Sequence, residues 1–232
     1  MTATTETTTL GPVAQAAPQR RLAVVLVAQL RNFGRMSERL PSYEVLRVIE
    51  RFTRMVGDCA AAYAGELLSA HNDTLLMVFR NATPPQCAHQ AVRAAQSIQL
   101  EFGALAEAWQ DAYGMQSAVS MGVHLGELVS GRVGPEDARR ETVYGDTLTL
   151  AERLADRARS GEFVLSDSVM GALEVANLGL DAEPLPMLRL PDRDDTRIFG
   201  VLLDTRLDFT APASTRAEDE VRTEPSVITQ RL

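Results

Sequence analysis

The chain has 232 residues, 45% hydrophobic and 23% charged, with 23 basic against 31 acidic side chains and a net charge of -8. This composition supplies the core of one compact domain, excludes wholesale disorder, and argues against a nucleic-acid partner, which would select a basic face. Two cysteines, Cys59 and Cys87, cannot form a disulfide framework, and the longest strongly apolar run, Leu22–Leu30, is far shorter than the ~18 residues of a membrane span. With no basic and apolar leader in MTATTETTTLG, the expectation is a cytoplasmic protein without a membrane partner.

Residues 1–21 are rich in Thr, Ala, Gln and Pro without hydrophobic periodicity, and are expected to be a flexible N-terminal segment. The folded domain is expected over 22–206, with 207–232 as a flexible tail of similar character. LAVVLVAQ at 22–29 reads as a strand buried on both faces. From Ser42 to Ala64, apolar residues at Val45, Val48, Ile49, Phe52, Val56 and Cys59 form one helical stripe. Glu66–Ala70 and Thr74–Arg80 read as two strands joined by the turn His71-Asn72-Asp73. Thr83-Pro84-Pro85-Gln86 opens a helix with an N-cap, an early proline and a reciprocal Gln, and its apolar face runs from Cys87 to Trp109.

Gln116–His124 and Leu128–Val133 are expected to form a strand pair turning at Gly126. Asp146 is expected to cap a helix reaching Arg159, with Ala151, Leu154, Ala155 and Ala158 on its apolar face. Gly131, Gly134 and Gly145 are read as turn glycines with positive φ. Short strands at Phe163–Leu165, Pro186–Leu190 and Arg197–Leu203 close the domain. Strands alternate with helices, and some strands form hairpins, which points to an α+β sandwich.

In order, VVLVAQLRNFGRMSERL (24–40), GELLSAHNDTLLMVF (65–79), VSMGVHLGELVSGRVG (119–134), ETVYGDTLTLAERL (141–154) and SGEFVLSDSV (160–169) resemble the class III adenylate/guanylate cyclase catalytic domain. The resemblance implies a ferredoxin-like βαββαβ core. It also implies a head-to-tail homodimer with active sites between the chains, and attack of the ribose 3′-oxygen on the α-phosphate aided by two divalent metals. In that family two aspartates hold the metals, a Lys with an Asp or Thr reads the purine, and an Asn and an Arg from the partner chain orient the ribose and stabilise the transition state.

Carried over residue by residue, the pattern is kept in part. Gln29 stands at the first metal aspartate, where a neutral amide replaces the charge that hard dications prefer. Asp73 keeps the second metal aspartate, and Ser69 replaces the purine-reading Lys. Thr142 fits the second purine position, Thr149 replaces the ribose-orienting Asn, and Arg153 matches the transition-state Arg. The final phosphate-binding Lys falls near Leu190, with Arg189 one position away.

Each residue also has a plainer reading. Asp73 is a common turn former, Thr142 a β-branched strand residue, Arg153 a solvated helix residue, and His124 a hydrogen-bonded core histidine. No His or Cys pair has zinc spacing. Because losses acting as a unit leave little above background, the chain is expected to be a catalytically inactive cyclase-like signalling module. It would act as a homodimer or through another signalling protein, with no cofactor. The alternatives are a weak nucleotidyl cyclase using Mg or Mn on ATP or GTP, and a nucleotide sensor without turnover.

Overall fold

The computed structural model describes residues 18–202 apart from Glu136, Arg139 and residues 191–193. Of the flexible segments expected at 1–21 and 207–232, residues 1–17 and the whole tail lie outside the described residues. The elements are β1 (Gln19–Arg31), α1 (Phe33–Arg39), α2 (Ser42–Ala62), β2 (Glu66–His71), β3 (Thr74–Phe79), α3 (Pro84–Tyr113), β4 (Ala118–Val133), β5 (Arg140–Tyr144), α4 (Asp146–Arg157), β6 (Glu162–Ser166), α5 (Asp167–Val175), β7 (Glu183–Leu188) and β8 (Thr196–Leu202). They build one sheet in the order β2-β3-β1-β4-β6-β8-β7, with β5 paired to β4. The first four strands and their crossover helices are the expected ferredoxin-like βαββαβ unit, with order β2-β3-β1-β4.

β1 runs through the middle of that unit because Ala23–Ala28 are buried on both faces, flanked antiparallel by β3 and β4. It begins at Gln19, pairing with Ser130, so the boundary expected at residue 22 falls inside a strand. On one face α2, α3 and α5 bury the large core, in which Phe52, Phe102 and Trp109 meet edge-to-face. α3 starts as its sequence indicates, with Gln86 Oε1 accepting from the Thr83 N–H at 3.2 Å and from its hydroxyl at 2.9 Å.

Among the described residues the other face is packed by α4 alone, through Ala151, Ala155 and Leu154 against Val25, Val27, Leu128 and Val164. Here two expectations are corrected. The strand pair around Gly126 is one continuous 16-residue strand, β4. Gly126 is a point of close approach, since a Cβ there would sit 2.4 Å from Thr147 Oγ1. Asp146 does not cap α4: Gly145 occupies the N-cap at φ 150°, and Asp146 falls in the first turn, where a carboxylate suits the helix dipole. Gly134 also has positive φ, whereas Gly131 is a paired strand residue.

Gly122 is tighter still. A Cβ would meet the Ala151 carbonyl oxygen at 2.2 Å and the Ala155 nitrogen at 2.4 Å, both backbone atoms that cannot swing away. Overpacking typically destabilises by about 1–3 kcal/mol, and with two backbone atoms of α4 in the way Gly122→Ala is expected to lose about 3 kcal/mol in urea denaturation. An acid-range effect is expected at the start of β2. The Arg80 guanidinium donates to Glu66 at 2.7 Å and, with a weaker bond from Asn81, holds its carboxyl below the usual value of 4.5 against the opposing effect of burial. The unfolded chain then binds more protons between the two values, so this contribution is present above pH 4.5 and is lost as pH falls through the lowered folded value. Denaturation against pH should show the gap between wild type and Glu66→Gln closing below pH 4.5.

Candidate functional site

A cleft of about 320 Å³ opens on the α4 face of the sheet, between the β2–β3 hairpin and α4. The β1–β3 register creates it. Gln29 lies opposite Thr74, and the Leu30 N–H donates to the Asp73 carbonyl at 2.8 Å, which places the hairpin turn beside the end of β1. Asn72 takes φ 50° to make that turn, a conformation Asn tolerates well. Gln29, Asp73 and Ser69 thus all line the cleft, although they come from three elements.

The far wall was not visible in the sequence. Glu152 and Asp156, one helical turn apart on α4, face the same cleft, and Val27, Leu76 and Ala155 give it an apolar floor. His71 completes the hairpin side. Arg31 holds this wall in place. One of its terminal nitrogens, Nη2, donates to the carbonyls of Ala155, Asp156 and Ala158 at 3.1, 3.3 and 2.9 Å, satisfying acceptors that the end of α4 leaves open. The only signals available in the sequence were the i,i+4 spacing of Glu152 and Asp156 and the i,i+2 spacing of Gln29 and Arg31.

Thr142, Thr149 and Arg153 do not line this cleft. Thr142 is half-buried on β5 opposite Gly131. Thr149 and Arg153 form an exposed stripe on α4, and Arg153 reaches Asp156 at 3.6 Å with both side chains more than half exposed. Such a pair contributes little to stability. Arg189, beside the Leu190 position, pairs with Asp195 at 3.3 Å. His124 is hydrogen-bonded through Nδ1 to Ser166 Oγ at 2.8 Å, consistent with its plainer reading.

Residues 16–198 match the family described as Adenylate and Guanylate cyclase catalytic domain. The chain belongs to that family. Adenylate cyclase 1 of Rhizobium meliloti (strain 1021) is 26% identical over 138 residues, covering 58% of this chain and 20% of that protein. The chain therefore spans about a fifth of that relative's length. In fold the cyclase domain resembles the adenylyl cyclase CyaB from P. aeruginosa, with a TM-score of 0.76, 18% identity, and coverage of 82% of this chain and 98% of that one. It also resembles the guanylyl cyclase Cya2, with a TM-score of 0.71, 21% identity, and coverage of 83% and 98%.

The family works with divalent metals, and the residues at this cleft do not fit the pair. At the two positions that the resemblance assigns to the metal carboxylates stand Gln29 and Asp73, both lining the cleft. Among the described residues no three His, Cys, Asp or Glu side chains are grouped as a metal site requires. The Gln29 Oε1 atom is buried without a hydrogen-bond partner. So is the hydroxyl of Ser120, which is wholly buried and directly opposite Gln29 in the β1–β4 register. No lysine occurs anywhere in the chain, so neither lysine role of the family can be filled by one. Arg31→Met is expected to lower stability by about 2 kcal/mol, the scale of a charge-assisted hydrogen bond, while leaving the fold intact. Urea denaturation with circular dichroism checks both.

Proposed function

We propose that this cyclase domain is a signalling module that pairs with a second copy of itself and does not form cyclic nucleotides. The observation that carries the reading is the state of the cleft, where Gln29 and Ser69 stand beside Asp73 at positions that in the family hold a metal aspartate and a purine-reading lysine. A carbonyl oxygen offers a dication no charge. Losing even one preorganised electrostatic contact typically removes about 2.7–4 kcal/mol of transition-state stabilisation. The replacement of the ribose-orienting Asn by Thr149 removes another contact, and a symmetric dimer would repeat every loss in both sites.

Pairing is supported by the separation of the two halves. Within one chain Thr142, Thr149 and Arg153 stay outside the cleft lined by Gln29 and Asp73, as expected where a family's site is composed across two chains. It is supported as well by apolar exposure around the β4–β5 arm. Leu22 is 54%, Val133 53% and Tyr144 59% exposed. Leu22 lies opposite Glu127 and Tyr144 opposite Val129, on adjoining rows of the sheet with β4 between them.

The deciding experiment incubates the protein at high concentration with Mn²⁺ and ATP or GTP and seeks cyclic product by mass spectrometry, with Asp73→Ala as control. No product above the control is expected. Product that disappears in Asp73→Ala would overturn the reading in favour of an enzyme with altered ligands. Sedimentation is expected to show a dimer that shifts toward monomer in Tyr144→Arg, and a strict monomer at high concentration would overturn the pairing.

A further inference from the structure

We propose that the C-terminal tail straps across the groove between α2 and α3, seating Glu218–Arg222 over the Cys59 thiol. The strap does not depend on whether the domain makes cyclic nucleotides. The groove, of about 510 Å³, follows the line where the two helices meet, with Phe52 against Phe102 and Ser97 Oγ donating to the Cys59 sulfur at 3.5 Å. Met55 and Leu105, half-buried against the main core, make its floor apolar. Its rim is charged, with Arg51 and Arg54 on α2 before the floor residue Met55 and Asp58 after it. Burial pushes the Cys59 thiol up, and beyond the opposing Ser97 hydrogen bond the charges of Glu101 and Asp58 add to it, which sets both acids near the sulfur. Arg54 pairs with Glu50, whereas Arg51, Asp58 and Glu101 have no ion-pair partner among the described residues.

The tail carries the complementary order of side chains. Glu218-Asp219-Glu220-Val221-Arg222 sets three acids, one apolar residue and one base in succession. Laid along the groove, the acids meet Arg51 and Arg54, Val221 covers Met55 and Leu105, and Arg222 reaches Asp58 and Glu101. The lengths agree, since Arg51 and Asp58 stand two helical turns apart, about 10 Å, and Glu218 to Arg222 spans about 13 Å when extended. The tail also starts close by. β8 ends at Leu202, and the Val201 carbonyl accepts from Gln99 of α3 at 3.2 Å, two residues along that helix from Ser97. Residues 203–217 reach up to about 50 Å, well beyond the ~10–12 Å thickness of the helix to be crossed. Residues 1–17 offer no such pattern, with Glu6 as their only charged side chain. Exposed ion pairs are individually weak, but a tether holds the segment near millimolar effective concentration, where contacts too weak for a free peptide suffice.

The test is native alkylation of the full chain by iodoacetamide, with the rate at Cys59 read by mass spectrometry relative to that at Cys87. Cys87 is buried at the start of α3, outside the groove, and so reports opening of the domain itself. Charge reversal on either side, Arg51→Glu/Arg54→Glu or Glu218→Arg/Glu220→Arg, is expected to raise the relative rate about fivefold, the combined worth of two exposed ion pairs. Joining both reversals in one chain is expected to restore the slow rate. Val221→Asp, which removes the apolar contact without touching a described element, should raise the rate in the same direction. Unchanged ratios in the two tail variants would overturn the proposal, as would a combined swap that reacts no more slowly than its halves. Protection of Cys59 that is lost on dilution would give the groove to a second copy and overturn the assignment to the tail.

Discussion

A methyl group added at Gly122 would lie 2.2 Å from the Ala151 carbonyl oxygen, and one at Gly126 would lie 2.4 Å from the Thr147 hydroxyl. Side chains at these two positions of β4 would hold α4 away from the sheet, and glycine lets the backbones meet. The helix is then fixed at both ends. Thr147 donates to the Glu127 carbonyl at 2.7 Å at its start, and Arg31 gathers three carbonyls at its finish. Since α4 is, among the described residues, the only helix packed on its face of the sheet, its height and tilt set the width of the cleft and decide which side chains enter it. Glu152, Ala155 and Asp156 face inward because the seam against the sheet is made by Ala151, Leu154 and Ala155. Thr149 and Arg153 are turned outward by the same geometry.

This constraint separates positions that hold the fold from positions that carry chemistry. Gly122, Gly126 and Gly145 cannot accept a side chain without moving backbone or displacing a packed neighbour. Gln29 and Thr142 are half-buried, and Ser69, Thr149 and Arg153 are exposed. Substitutions at exposed positions such as 69, 149 and 153 usually alter stability by less than about 0.5 kcal/mol. On the proposed reading, the family's catalytic set can therefore erode in a chain whose scaffold stays whole, since positions 69 and 149 are exposed.

The same distinction explains what was legible in the sequence. The hairpin at residues 71–73, the start of α3 and the buried run of β1 were readable because each depends on neighbouring residues, a turn composition, a cap, an apolar stretch. Gly126 was misread as a turn. In a strand, glycine marks either a turn or a close approach, and only the packing of α4 tells which. The short helices α1 and α5 were not read as elements, since one or two turns carry too little periodicity. For the site, the resemblance led to Gln29, Ser69 and Asp73, and the structure brings these together. Glu152, Asp156, Arg31 and Ser120 were missed because their roles depend on which face of α4 or β4 meets another element.

The amide at Gln29 also changes the electrostatics of the cleft. A carboxylate there would adjoin the turn bearing Asp73, with Glu152 and Asp156 across the gap. Carboxylates that share a site resist ionising together, and bound cations are what relieve that repulsion. Glutamine keeps hydrogen-bonding capacity at the same place and removes one of the negative charges. The cleft is left with one negative charge fewer than a pair of aspartates would give it. One neutral side chain on the central strand thus changes both what the cleft must hold to be stable and which charge it attracts.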